Sequence, residues 1–287
     1  MLARDDELLL WQHRRREDED TLAVLVAEED GRMVAMLGWI EFDACAGDLR
    51  APGGWMTNWL VVPEARGRGL GLELVRHAME HAYELIGALG ANSATRHVLG
   101  GAGFAEVGMH RWVRVFDPEA LRELLGGRGF SAPATPAPQA AGSGFVGACR
   151  DEAFRDRRYR EHPRFRYELL EDDGFAAYRI EQVADSAAKV MRITDMLGGG
   201  ELAGRLAQAA ERHAVVLADF YCTSRRFGAP LEAAGFAPDR GLPGRFQPLD
   251  FSDRPIVSNF WAAPRLGVDL GGDLYVTRAD SDLDRPN

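Results

Sequence analysis

Lysine is all but missing from this chain. Of its 287 residues only Lys189 carries an ε-ammonium, and arginine supplies almost every other positive charge. That removes nearly all candidates for Schiff-base chemistry, which needs an amine able to lose its proton. Cysteine is scarce too. Cys45, Cys149 and Cys222 are widely spaced and odd in number, a usage that argues against a disulfide framework and for a reducing compartment. Each is expected to be a small buried apolar residue. No apolar run approaches the roughly 18 residues that suggest a membrane span. The acidic start, Met-Leu-Ala-Arg-Asp-Asp-Glu, is unlike a signal peptide. A basic surplus is absent as well: the net charge is −10. An anionic ligand would therefore have to be held by a local device rather than by the field of the whole chain. The expectation is a cytoplasmic protein with neither nucleic acid nor membrane as partner, its oligomeric state left open.

What remains is an ordinary globular composition, 46% hydrophobic and 27% charged, with a length that suggests two domains. A segment without periodicity and rich in Pro, Ala and Gly, 126–147, reads as a linker between parts 1–125 and 148–287. The first part reads as a helix around Asp5–Arg16, strands over Thr21–Ala27, Met33–Phe42 and Trp55–Val62, and a helix from Leu72 to Ile86 whose apolar residues recur every three or four. A strand over Leu85–Leu89, a helix opened by Asn92 and a strand over Phe104–Val115 follow. The second part repeats that order, with a hairpin over 165–183, strand Lys189–Leu197, helix Glu201–His213, strand Val215–Cys222 and helix Ser224–Ala234. Ala-Gly-Phe-Ala at 102–105 returns at 234–237, which points to an internal duplication.

The most informative stretch is Ala-Arg-Gly-Arg-Gly-Leu-Gly at 65–71, between a strand and a helix. Glycines there let the backbone take positive φ and let a ligand come close. The helix N-terminus adds partial positive charge and free amides, together a phosphate site. Arg66 and Arg68 are placed to add charge-assisted contacts. The plainer alternative is a glycine-rich turn with solvated arginines. The glycines alternate, so the spacing is not that of the dinucleotide fingerprint, and no Walker Gly-Lys-Ser/Thr is present.

Arg66-Gly67-Arg68-Gly69-Leu70-Gly71 resembles the pyrophosphate loop of the GCN5-related N-acetyltransferase (GNAT) superfamily, and Leu60-Val61-Val62-Pro63 is similar to that family's strand leading into the loop. Asn92 and Gly103-Phe104 stand at the intervals of its downstream helix, with Leu99 where the family has a tyrosine. The resemblance covers roughly 20–116. It implies an α/β chain of two tandem GNAT-like domains, each a mixed β-sheet flanked by helices, the second degenerate: its bend lacks the arginines, so only the first is expected to bind coenzyme A. It also implies acetyl-CoA or another acyl-CoA as donor, with no metal. The amides from Gly67 to Gly71 would bind pyrophosphate, exposed backbone groups of Leu60, Val61 and Val62 would pair with the pantetheine arm, and Asn92 would reach it from the other side. The reaction would be direct attack of a primary amine on the thioester.

Catalytic candidates are fewer. Asn58 lies on the strand expected to border the thioester and can orient a water. Asp195, in the matching strand of the second part, is the candidate proton acceptor. With Leu99 unable to donate a proton, a water, His97 or Tyr221 stands in as acid. The family's usual first strand and two helices are reduced here to about twenty residues, so the second part is expected to wall the acceptor site. Asp280, Asp282 and Asp284 alternate in the tail. They read either as a flexible acidic end or as a grip for a cationic acceptor, the latter resembling bacterial acyltransferases of nucleotide-linked amino sugars. Trp261 and Tyr275 are candidates to stack on a base, with core packing as the alternative. His77-Ala-Met-Glu80-His81 fits a zinc-protease pattern, but without a defensible third ligand it reads as a polar helix face.

Overall fold

The computed structural model describes residues 5–15, 20–89, 93–127, 145–172, 174–183, 185–239, 242, 259–264 and 274–280. Helix α1, Asp6–His13, opens where the Asp5 carboxylate accepts from the Leu8 amide at 3.1 Å, which satisfies one of the free first-turn N–H groups. Strands β1 (Val24–Glu29), β2 (Arg32–Ala46) and β3 (Leu49–Val61) form an antiparallel meander. Helix α2, Leu70–His81, returns the chain to β4, Leu85–Leu89. All five residues of β4 are buried, as befits a central strand with no polar face. Then come α3 (Ser93–Gly101), β5 (Ala105–Gly108), β6 (His110–Val115) and α4 (Pro118–Leu124). Asp117 caps α4, with proline just inside its start.

The second part begins with β7 (Val146–Ala148) and α5 (Glu152–Arg155), followed by β8 (Glu168–Asp172), β9 (Gly174–Gln182) and β10 (Lys189–Gly198). Helix α6 (Gly200–Arg212), β11 (Leu217–Cys222), α7 (Gly228–Ala233), β12 (Ala237–Pro238) and β13 (Asn259–Pro264) complete the elements. The mixed sheets flanked by helices are those of the expected α/β class.

The two sheets do not follow the boundary at the linker. The first runs β1-β2-β3-β4-β13-β5, with β7 on β2, and the second runs β12-β6-β11-β10-β9-β8. The expected strand 104–115 breaks at Met109, and its second piece, β6, enters the second sheet between β12 and β11. In return β13 enters the first sheet between β4 and β5. Among the described residues, each part thus lends the other the second strand after its Gly-Phe turn and keeps the first, β5 and β12, in its own sheet.

The two Ala-Gly-Phe-Ala stretches share a geometry. Gly103 and Gly235 both take positive φ, 88° and 80°. The amides of Phe104 and Phe236 both reach back five residues, to Leu99 and Leu231. In both parts the meander's last strand pairs parallel with the strand after the helix, β3 with β4 and β10 with β11.

One face of the first sheet packs Leu37, Trp39 and Met56 against Leu74, Val75 and Ala78 of α2 and Leu99 of α3. The other face packs Phe42, Trp55 and Leu85 against Val146, Ala148, Leu274 and Val276 of the second part. Burial between the parts is therefore core burial rather than a wet contact. Cys45 and Cys149 are disulfide-bonded, with Cα atoms 5.1 Å apart. This corrects the expectation of three isolated thiols: β7 pairs antiparallel with the end of β2 and sets the two residues side by side. Cys222 alone is free, and it is buried.

Candidate active site

Strands β3 and β4 pair only from Gly53 to Trp55 against Leu85 to Gly87. Beyond that they part. Just past the parting point β3 carries a bulge: Thr57 faces Gly38 and Leu60 faces Met36, so Asn58 and Trp59 share Leu37. Asn58 sits there at φ 48°, a left-handed conformation that a bulge can impose. The result is a wedge in which one edge of β3 is unpaired among the described residues, the place where an extended ligand can add as a strand.

The wedge leads to the glycine bend. Gly67 and Gly69 take φ 77° and 83°, which only glycine adopts at low cost. Gly71 is required for a different reason. A Cβ there would stand 2.8 Å from the indole Nε1 of Trp59. Gly69 caps α2 without a side chain, so the first-turn amides have no intrahelical acceptor and present a partial positive charge. A groove of about 690 Å³ runs between this bend and α3, lined by Trp59, Val61, Arg66, Leu70, Thr95 and His97 among others.

The arginines are used differently from the sequence expectation. Arg68 is held by Glu29 of β1 in a bidentate pair at 2.9 and 2.5 Å. Arg66 Nε donates to the Val61 carbonyl at 3.1 Å. The ladder also reassigns the strand's backbone groups. The Val62 amide donates to Val34 at 3.0 Å, and by alternation Leu60 faces β2 as well. Val61 is the residue whose backbone faces the open edge, not Leu60 or Val62. The Leu60 side chain stays exposed. Asn92 lies outside the described residues.

Around Asn58 the structure assembles what the sequence did not show. His13, the last residue of α1, is buried, with Nδ1 2.8 Å from the Trp39 carbonyl and Nε2 3.0 Å from Asn58 Nδ2. The only sequence signal for this pair was the short N-terminal helix. Leu99, the residue expected at the tyrosine position, is fully buried in the core.

Asp195 does not face a cleft, which corrects its assignment as proton acceptor. It is fully buried, and both oxygens are committed: Oδ2 to Arg150 Nε at 2.6 Å and the Tyr159 hydroxyl at 2.8 Å, Oδ1 to the Tyr275 hydroxyl at 2.6 Å and the Met196 amide at 3.0 Å. The same arginine grips Asp280 with two bonds, at 3.0 and 2.6 Å. Asp280 is therefore part of a buried ion-pair cluster rather than a free grip for an amine. Burial pushes its carboxyl up, against the pull of Arg150. Asp282 and Asp284 lie outside the described residues.

This cluster also explains why no second wedge opens among the described residues. Strand β10 has its own bulge at Thr194, beyond its parallel pairing with β11. The segment 274–277 fills that place. Leu274 bridges to Val146, Thr277 bridges to Cys222, and the Tyr275 hydroxyl meets the Met196 amide at 3.0 Å. Tyr275 is thus core, while the Trp261 side chain lies outside the described positions. The bend at Gly198–Gly200 takes no positive φ. Tyr221 is buried under Arg111 and Arg278, whereas His97 remains in the groove of the first wedge. His77 and His81 stack their rings on the exposed face of α2.

A narrow slot opens on the face of the first sheet that meets the second part. Its walls include Gln12, Ile40, Phe42 and Trp55 on one side and Phe154 and Arg158 on the other. Among the described residues no helix is long and apolar enough to cross a membrane, which does not bear on β-barrels. No group of three metal-binding side chains is found among them either.

Residues 2–104 match the model of the Acetyltransferase (GNAT) family. The matched residues carry β1 to β4, the glycine bend and α3, and members of that family use acetyl-CoA or another acyl-CoA as donor. The comparison with curated proteins gives no match. Among solved structures the chain is similar to a GCN5-related N-acetyltransferase from Kribbella flavida, at 19% identity and a TM-score of 0.50, over 85% of this chain and 60% of that one. It is also similar to a protein of unknown function from Enterococcus faecalis V583, described as a probable N-acyltransferase. That match has 12% identity and a TM-score of 0.51, over 92% of this chain and 70% of that one. At these identities the likeness is one of fold. The chain spans about 60% of the length of the Kribbella protein.

Proposed function

We propose that the protein transfers an acyl group from acyl-CoA to a primary amine in the wedge between β3 and β4. The observation that carries this reading is the continuity of an unpaired strand edge at Val61 with a helix N-terminus whose bend has two positive-φ glycines. The edge suits the amide-bearing pantetheine arm, and the bend suits the pyrophosphate. The thioester carbonyl then lies by the bulge at Asn58, where a strand amide serves the oxyanion. The amine nitrogen bonds to the carbonyl carbon, the C–S bond breaks, and the thiolate takes up the proton that the nitrogen sheds. A thiol of ordinary pKa, about 8.5, leaves without a strong acid, so a buried Leu99 does not forbid the reaction.

The acceptor enters between the two parts, along the slot beside α1, where Phe154 and Arg158 of the second part supply one wall. A nucleotide-linked amino sugar, the expectation drawn from the acidic tail, loses the support of Asp280, which Arg150 holds. The buried Leu99 favours a second reading, a CoA-binding module without turnover. Calorimetric binding of acetyl-CoA to wild type and to Gly69→Glu, followed by thiol release with a panel of amines, tests both. Binding lost in the variant together with amine-dependent thiol release supports transfer. Binding with no release for any amine supports the module, and no binding to wild type removes both readings.

A further inference from the structure

We infer that the slot between the parts selects its amine by a neutral polar group at the end of a short apolar chain, read by Gln12. This rests on the acyl-transfer reading above and goes beyond it in naming the class of acceptor.

Position comes first. Along β2 and β3, residues two apart share a face. Gly38 lies opposite Thr57 and Ile40 lies opposite Trp55, so the slot's Ile40–Trp55 row is the next one down from the row under His13 and Asn58. A Cβ on Gly38 would stand 3.1 Å from the His13 ring, which places that ring over the upper row. An amine held at Asn58 therefore trails its substituent into the slot.

Size and charge narrow the substituent. The slot has a volume of about 70 Å³, less than half of the roughly 150 Å³ that accommodates a benzene ring. A methylene chain fits it, but a nucleotide does not. The charged groups at its walls are engaged. Asp280 is held by Arg150, Asp151 by Arg50, Glu41 by the Tyr83 hydroxyl, Arg158 Nε by the Ala279 carbonyl at 2.6 Å and Arg157 by the Trp11 carbonyl, and Asp43 is partnered as well. A polycation finds no uncommitted counter-charge in that set. Phe42 and Trp55 stack at 5.0 Å and give the wall an apolar surface.

Gln12 supplies the specificity. It is 3% exposed, and neither Nε2 nor Oε1 has a partner among the described residues. A buried carboxamide offers one acceptor and two donors, and leaving both ends unmatched is costly. A terminal primary amide on the ligand answers both at once, and a hydroxyl answers one.

The test measures binding by calorimetry for ω-amino amides of increasing chain length, each beside the alkylamine of equal length. Spermidine and a UDP-linked amino sugar serve as the other arms. Wild type is expected to prefer the best amide over its alkylamine by about tenfold, and Gln12→Leu is expected to bring the two within about twofold. Ala153→Leu, which fills the slot from α5 without touching Gln12, is expected to weaken all of these amines. Both variants should bind acetyl-CoA as wild type does, which shows that they are folded. Equal affinity for amide and alkylamine, a preference that survives Gln12→Leu, tighter binding of spermidine or the UDP sugar, or no amine bound at all would each overturn the inference. So would hexanoyl-CoA binding more tightly than acetyl-CoA in an Ala153→Leu-sensitive manner, since the slot would then hold the acyl chain. These titrations need no turnover. Failure of the acyl-transfer reading shows separately, as absent acetyl-CoA binding.

Discussion

Nε2 of His13 stands 3.0 Å from the carboxamide nitrogen of Asn58, while Nδ1 of the same ring stands 2.8 Å from the Trp39 carbonyl. A carbonyl only accepts, so Nδ1 carries the hydrogen. Asn58 Nδ2 only donates, so Nε2 offers its lone pair. The assignment of ring tautomer and amide orientation is mutually consistent, and it turns the oxygen of Asn58 away from His13. That oxygen can accept an N–H of the incoming amine and hold its lone pair toward the thioester.

Asn58→Gly should keep the fold, because glycine accepts φ 48° without strain. It should leave acetyl-CoA affinity unchanged and lower kcat by roughly 10- to 100-fold. Asn58→Ala should show the same kinetic loss and a further destabilisation of about 1–2 kcal/mol. Thermal melts and thiol-release rates of the two variants check this. Unchanged kcat in Asn58→Gly would remove Asn58 from the site.

The glycines of the bend should fail in distinct ways. Gly71→Ala drives a methyl onto the Trp59 indole, 2.8 Å away, and should weaken donor binding by displacing the start of α2. Gly69→Ala meets no atom within 4 Å but has φ 83°, so its cost is backbone strain of about 1–2 kcal/mol. Calorimetry and melting of both variants separate displacement from strain.

Asp195→Asn should behave as a folding defect. Removing one charge from the buried cluster with Arg150 leaves the arginine short of a partner and should cost about 3–5 kcal/mol. A variant that melts like wild type yet loses turnover would restore Asp195 as a catalytic group.

The disulfide closes a loop with a sequence separation of 104, for which chain entropy gives up to about 4–5 kcal/mol. Melting in the presence and absence of reductant should show a drop of that order in wild type and no drop in Cys45→Ser. Identical wild-type melts would show that the bond contributes little.

Acid should weaken the fold through His162. Burial, then the charges of Arg158, Arg179 and Arg164, lower its pKa to about 2. Its Nδ1 accepts from the Arg164 and Phe165 amides at 3.1 and 3.0 Å, which requires the neutral ring. The unfolded ring takes a proton below about pH 6.5, whereas the folded one does not until near pH 2. Its contribution is therefore present above pH 6.5 and falls by up to about 1.4 kcal/mol per pH unit below it. His162→Asn keeps an acceptor near Nδ1 and does not titrate, so its stability should fall less between pH 7 and 4.

The chain's own order of residues was enough to place α1, α2, α3, α6 and α7, most strands, the glycine bend and the repeated order of elements, but not α4 or α5. These rest on local signals: apolar periodicity, capping residues, and glycines where φ must be positive. Strand β4 and the bend at Gly67–Gly71 were readable because neighbours in sequence decide them. Tertiary structure decided what no local signal carries. It broke the strand at Met109 and sent β6 and β13 across to opposite sheets, since strand pairing is chosen by long-range burial. It brought His13 to Asn58 and Gln12 to Trp55, residues far apart in the chain. It joined Cys45 to Cys149 through the pairing of β7 with β2. It also turned Asp195 and Asp280 from site candidates into the buried partners of Arg150, because a carboxylate's role depends on which charge the fold sets beside it.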